Sequence, residues 1–276
     1  MELTILGTAA AEAWPAPFCR CDACQTARRR GGPEIRSRAG ALVDNDLKID
    51  FGPDTVSQLQ RTGRDLCDLR TLVFTHDHSD HLVPSELEWS GGVFTNTPPE
   101  VPIAVYGNGR VLDLIAAAFP TPEKQNLDLR EPLRPLEPVT TDTGDTILPL
   151  PADHAPDALL LRITRADGTT LFWGHDSGLY PPATLEALSD GTVLSLAVFD
   201  TTYGGIRGAN RGHMGVDGVI LMVDTLRQRG AITERTVCVA THFSHNGGLL
   251  HPQLVEAFLP HGILVAYDGI VLRSDG

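Results

Sequence analysis

The segment Thr75–His81, THDHSDH, places His76, His78, Asp80 and His81 in a loop directly behind the apolar run Thr71–Phe74. Three imidazoles and two carboxylates in seven positions have no packing rationale, but they form a ligand set suited to Zn²⁺, Mn²⁺ or Fe²⁺. One such loop cannot complete two metal sites, so further ligands must come from elsewhere in the chain. His154 in PADHAP, Asp176 in GHDSG and His242 in ATHFSH are the candidates, each at the end of an apolar run.

A second cluster is softer in character. Cys19, Cys21 and Cys24 fall within six positions of FCRCDACQTARRRGG. Zinc held by protein alone takes four ligands and keeps no open position, so this cluster lacks one ligand and reads as a staple rather than a catalytic centre. Cys67 and Cys238 stand apart and read as core cysteines, and His175, His251 and His261 read as structural histidines. In TTYGGIRGANRGHMGVDGV, His213 stands just before a helical pattern, where it is either a cap or a proton donor. Tyr203, Arg207, Asn210 and Arg211 lie in the same glycine-rich loop, as phosphate contacts or as solvated surface groups.

Short apolar runs recur along the chain, among them LTILG, ALVD, LKIDF, TLVF, IAVYG, ALLLRIT, TTLFWG, LSLAVFD, TVCVAT and ILVAYDG. Val216, Val219, Ile220, Val223 and Leu226 mark one face of a helix that stops at Gly230. About ten short strands with a few helices imply a layered α/β domain. Several strands end in a histidine-bearing polar loop, a common way for a rigid scaffold to hold reactive groups.

At 276 residues, with 42% hydrophobic and 21% charged, the chain can bury a full core, and no linker divides it. The expectation is one domain over 1–276, with a Cys-rich loop at 18–30. The net charge of −13 argues against a long nucleic-acid track, which needs a basic face. No apolar run suits a membrane span and no signal peptide is visible. Five cysteines make a poor disulfide framework, so the expected compartment is the cytoplasm. A homodimer is left open.

Taken together, the histidine loop, His154, Asp176 and His242 resemble the metallo-β-lactamase superfamily, with its T-H-x-H-x-D-H signature and its later His, Asp and His. The resemblance implies a four-layer αβ/βα sandwich with two catalytic divalent metals, Zn²⁺ or Mn²⁺. It assigns His76, His78 and His154 to one metal and Asp80, His81 and His242 to the other, with Asp176 bridging. Asp50, in KIDFG, is implied to hold the histidine loop, and a metal-bridging hydroxide to be the nucleophile. In the phosphodiesterase branch a histidine at the position of His213 protonates the leaving group.

The N-terminal stretch LGTAAAEAWPAPFCRCDACQTARRR is similar to PhnP-type cyclic phosphodiesterases, which open phosphoribosyl 1,2-cyclic phosphate. That likeness implies a structural Zn²⁺ on Cys19, Cys21, Cys24 and His245. PqqB proteins have a similar cysteine cluster but lack the full histidine loop. Only 22 positions separate His154 from Asp176, and 66 separate Asp176 from His242, which leaves no room for the RNA-handling additions of the superfamily. The expectation is a phosphodiesterase acting on a small phosphate-containing substrate, cyclic or linear. A thioesterase or lactonase of the same fold, or a non-catalytic biosynthetic accessory protein, are the alternatives.

Overall fold

The computed structural model describes residues 1–274. Its inner strands are short and largely buried on both faces, which is why they read as continuous apolar runs rather than as alternating patterns. In chain order the strands are β1 (Glu2–Gly7), β2 (Gly40–Val43), β3 (Leu47–Ile49), β4 (Thr71–Val73), β5 (Ile103–Tyr106) and β6 (Leu127–Leu129). β7 (Val139–Thr140), β8 (Thr146–Pro151), β9 (Leu159–Thr164), β10 (Thr170–Gly174), β11 (Leu196–Asp200), β12 (Val237–Thr241) and β13 (Ile263–Val265) follow, and β14 (Ile270–Arg273) closes the series. The helices are α1 (Asp22–Arg30), α2 (Thr55–Thr62), α3 (Gly109–Ala118), α4 (Pro182–Ala187), α5 (Val216–Gln228) and α6 (His251–Phe258).

The strands form two mixed seven-stranded sheets, ordered β14-β1-β2-β3-β4-β5-β6 and β13-β12-β11-β10-β9-β8-β7. The sheets face each other across a core that includes Ile5, Val43, Ile49 and Val73 from one side and Leu161, Trp173, Val198 and Val239 from the other. The outer face of the first sheet packs Leu42, Leu72 and Val105 against Leu59 of α2 and Val111 and Ile115 of α3. The outer face of the second packs Phe172 and Phe199 against Val219, Val223 and Leu226 of α5 and Phe258 of α6. The result is the expected four-layer αβ/βα sandwich. α5 ends one residue before Arg229, and Gly230 leaves it with φ 78°.

Strand direction places the site. β1 is antiparallel to β2, and β2 to β3, so β1, β3 and β4 run the same way. In the second sheet β9 is antiparallel to both β8 and β10, while β10, β11 and β12 are mutually parallel. The loops that leave the C-terminal ends of these strands, carrying the candidate residues, collect at one edge of the sandwich. Asp50, Asp176 and His242 all stand there with positive φ, at 57°, 49° and 59°. That conformation costs a non-glycine residue about 1–3 kcal/mol and is kept only where packing and hydrogen bonds enforce it. Cys238 is buried in β12 as expected, but Cys67 is exposed, because its loop runs over the surface with its N–H bonded to Asp65.

Candidate active site

The strand ends bring all seven candidate ligand side chains together. Ligand atoms of His76, His78 and His154 lie within 4.8 Å of one another, as do those of Asp80, His81 and His242, and those of His76, His81 and Asp176. Asp176 stands between the two triads. Its carboxylate is 2.8 Å from His81 Nε2, 3.4 Å from His242 Nε2 and 3.9 Å from His154 Nε2.

Three of the rings are oriented from behind. Nδ1 of His81 is 2.7 Å from Asp50 Oδ2, Nδ1 of His242 is 2.8 Å from Thr202 Oγ1, and Nδ1 of His154 is 2.9 Å from the Gly212 carbonyl. With their protons on Nδ1, these rings aim Nε2 lone pairs at the centre, the arrangement metal-bound histidines normally take. Asp50 also accepts from the N–H and hydroxyl of Thr75, which fixes the start of the histidine loop. Behind it, Lys48 donates to the Asp50 carbonyl at 2.6 Å; burial pushes its ammonium down to about 8 against the pull of the Asp50 charge.

The donor set fits a pair of cations. Nε2 of His76, His81 and His242 and Oδ2 of Asp176 are all buried without a hydrogen bond. The 2.8 Å contact of His81 with Asp176 sets lone pair toward lone pair, an arrangement that a cation between them satisfies. Without one, burial opposes charge on His81, yet Asp176, Asp80 and Asp50 outweigh it and raise its pKa well above the usual value. His242 behaves alike: burial works against its charge, but Asp176, Asp80 and Asp200 bring it up to about 9. Burial takes His76 the other way, well below the usual range, with the charge of His81 adding to it.

The sequence matches the family described as "Beta-lactamase superfamily domain" over residues 46–243, well over half of the chain. The chain belongs to the metallo-β-lactamase superfamily. It is 24% identical to coenzyme PQQ synthesis protein B of Cupriavidus necator, over 98% of each chain. It is also 30% identical to ribonuclease Z of Mycobacterium avium over 120 residues, 43% of this chain and 37% of that one. Among solved structures, a diphosphatase of the PhnP family superposes with a TM-score of 0.75 at 22% identity, covering 99% of this chain and 98% of the other.

Beyond the ligands, this superfamily member has a cavity of about 290 Å³ walled by His78, Asp80, His154, Asp176, His242, His213 and Tyr203, with residues of the loops after β1 and β12. His213 Nδ1 is 2.8 Å from Asp200 Oδ2 and 3.5 Å from Asp176 Oδ1. Burial opposes protonation of His213, but the Asp200 carboxylate outweighs it and raises the pKa. Asp200 and Thr202 stand behind the rings of His213 and His242 and are residues that the sequence alone did not mark. Thr202 Oγ1 donates to the His242 carbonyl at 2.9 Å while facing the Nδ1 atoms of both His242 and His213. Of the four loop residues considered for phosphate contact, the structure brings only Tyr203 to the cavity wall. Arg207 and Arg211 are exposed outside it. Asn210 turns back to Gly218 in α5, where a methyl group would meet its Oδ1 at 2.1 Å.

The cysteine cluster forms a second, separate donor set. Cys19, Cys21, Cys24 and His245 hold their ligand atoms within 4.8 Å of one another. His245 Nδ1 is 3.7 Å from Cys19 Sγ and 3.5 Å from Cys21 Sγ. A tetrahedral zinc with ordinary bond lengths separates sulfur and nitrogen by about 3.6 Å. Local structure explains the spacing: Cys21 caps α1, its sulfur accepting from the Cys24 N–H at 3.4 Å, which turns both thiols to one side. Burial works against ionising Cys21, but the Cys24 N–H and His245 bring its thiol down to about 7. Zinc bound here would tie the loop before α1 to the loop that carries His242. Replacing Cys21 with serine is expected to remove one zinc per chain while both metals of the His/Asp site stay bound. The melting temperature should fall by at least about 5 °C. Metal stoichiometry and thermal unfolding check it together.

Proposed function

We propose that the protein is a dinuclear metal-dependent phosphodiesterase acting on a small cyclic or linear phosphodiester. Two divalent cations, Zn²⁺ or Mn²⁺, would occupy the His/Asp site, and one structural Zn²⁺ the cysteine site. The observation that carries this reading is His213, on the cavity wall beside the ligand cluster and paired with buried Asp200. Cations on the two triads would supply Lewis acidity to phosphoryl oxygens and an activated water as nucleophile.

The chain's own residues do the rest. Asp200 engages His213 through Nδ1, and Nε2 makes no hydrogen bond among the described residues. That leaves Nε2 to deliver a proton to the departing alkoxide, which is a poor leaving group without one. A thiolate or an activated phenolate needs no such partner, so a positioned proton donor favours a phosphodiester with an alkyl leaving group. The fold shared with a PhnP-family diphosphatase supports phosphate chemistry. The full-length likeness to PQQ synthesis protein B favours one other reading, a biosynthetic accessory role without hydrolysis. The deciding assay is turnover of bis-p-nitrophenyl phosphate and of ribose cyclic phosphates by protein loaded with Mn²⁺, Zn²⁺ or Fe²⁺. Turnover of both substrates is expected; no turnover with any of the three metals would overturn the phosphodiesterase reading.

A further inference from the structure

The cavity has a wall that the ligand cluster does not supply: Ala10, Ala11, Glu12, Tyr203, Ser244 and Asn246. Among the described residues no lysine or arginine lines the cavity. Arg38, the cation bonded to this loop, spends its Nε on the Ala11 carbonyl at 3.0 Å and directs Nη1 to Asp54 at 3.4 Å. The hydroxyls on the wall have already given up their protons. Tyr203 donates to the Arg211 carbonyl at 3.2 Å, Thr202 to the His242 carbonyl at 2.9 Å, and Ser244 to Glu12 Oε1. The hydroxyls of this wall therefore present oxygen lone pairs to a ligand, and the Asn246 side-chain amide makes no hydrogen bond among the described residues.

Glu12 is fixed, not loose. Its Oε1 accepts from Ser244, whose own oxygen accepts from the Asn246 N–H at 3.1 Å. The same Oε1 lies 3.7 Å from Nε2 of His245, the ring whose Nδ1 faces the cysteine sulfurs. Oε2 has no partner among the described residues, and the side chain is 32% exposed, at the cavity. A carboxylate pinned through one oxygen, with the other free at the mouth of an otherwise cation-free wall, is a recognition element with a definite sign.

We infer that Glu12 sets specificity: the substrate carries, beyond its single phosphodiester, a hydroxyl or ammonium group that donates to Glu12, and it carries no second anionic group. This rests on the phosphodiesterase reading above. A second phosphate would meet the carboxylate with no lysine or arginine to offset it, and like charges in such a recess repel strongly.

The test uses metal-loaded protein and two substrates that differ by one group, thymidine 5′-p-nitrophenyl phosphate and the same diester carrying a 3′-phosphate. The wild type should prefer the 3′-hydroxyl compound by about tenfold or more in kcat/KM. Glu12→Gln, which keeps an acceptor for Ser244, should erase most of that preference. Calorimetric binding gives a readout independent of turnover: thymidine 5′-phosphate should bind the wild type more tightly than thymidine 3′,5′-bisphosphate, and E12Q should narrow the gap. Equal kcat/KM for the two diesters, tighter binding of the bisphosphate, or a preference that E12Q leaves intact would overturn the assignment. If neither diester is cleaved but the binding order holds and depends on Glu12, the phosphodiesterase reading fails and the role of Glu12 stands.

Discussion

Replacing Asp176 with alanine is expected to cut kcat by about a thousandfold or more and to leave fewer than two metals per chain in the His/Asp site. The size of the effect follows from the reach of one carboxylate. Asp176 approaches His81, His242 and His154, so it touches both ligand triads. Without a cation its charge is offset by His81 and His242, and a cation bound between these groups would take over that role. Stability separates a ligand from a structural residue. Metal-free D176A should melt below the metal-free wild type, because without cations this carboxylate offsets the charges of buried His81 and His242. The rise in melting temperature on adding Mn²⁺ or Zn²⁺ should shrink sharply in the variant, since the stabilisation by a bound ligand scales with its affinity. A variant that melts early without metal yet keeps the full metal-induced rise would make Asp176 a scaffold residue instead.

Asp176 could be found in the sequence because it sits in GHDSG at the end of an apolar run, in register with the other histidine-bearing strand ends. The same logic reached His76, His78, Asp80, His81, His154 and His242. Metal ligands carry a chemical type and a spacing, and both survive in one dimension. The residues behind them do not. Asp200 and Thr202 look like the polar end of LAVFDTT. What gives them meaning is β11 lying beside β12, which sets Thr202 against His242, and the loop after β11 folding back, which sets His213 against Asp200. Glu12 is invisible for the same reason, since its partner Ser244 is 232 positions away. Charge misled in the other direction. Arg207 and Arg211 suggest anion binding by type alone, but their loop turns them to solvent, while Asn210 is drawn back onto Gly218. The fold was legible where strands are buried. β6 and β7 are edge strands with partly exposed side chains, so they lack the apolar run by which other strands were read.

Removing the His213 imidazole should produce a loss that depends on the leaving group, and that dependence carries more than the loss itself. With an alkyl phosphodiester, H213A is expected to lose about 10²–10⁴ in kcat, the usual worth of a positioned proton donor. With a p-nitrophenyl ester, whose phenolate departs without a proton, the loss should stay within about tenfold. Metal content should match the wild type, because all seven candidate ligands remain. His213 does share Thr202 with His242, so H213A could in principle act by loosening that ligand. Such a structural effect would slow both esters alike and lower metal occupancy. Asp200 supplies the cross-check, since D200N keeps the imidazole but weakens its hold on Nδ1. It should reproduce the selective loss on the alkyl ester in milder form. Equal losses on the two esters in H213A, at full metal occupancy, would mean that the proton comes from elsewhere. The selective loss, by contrast, would tie the His213–Asp200 pair to an alkoxide leaving group, and with it the choice of a phosphodiester over a thioester as the substrate of this site.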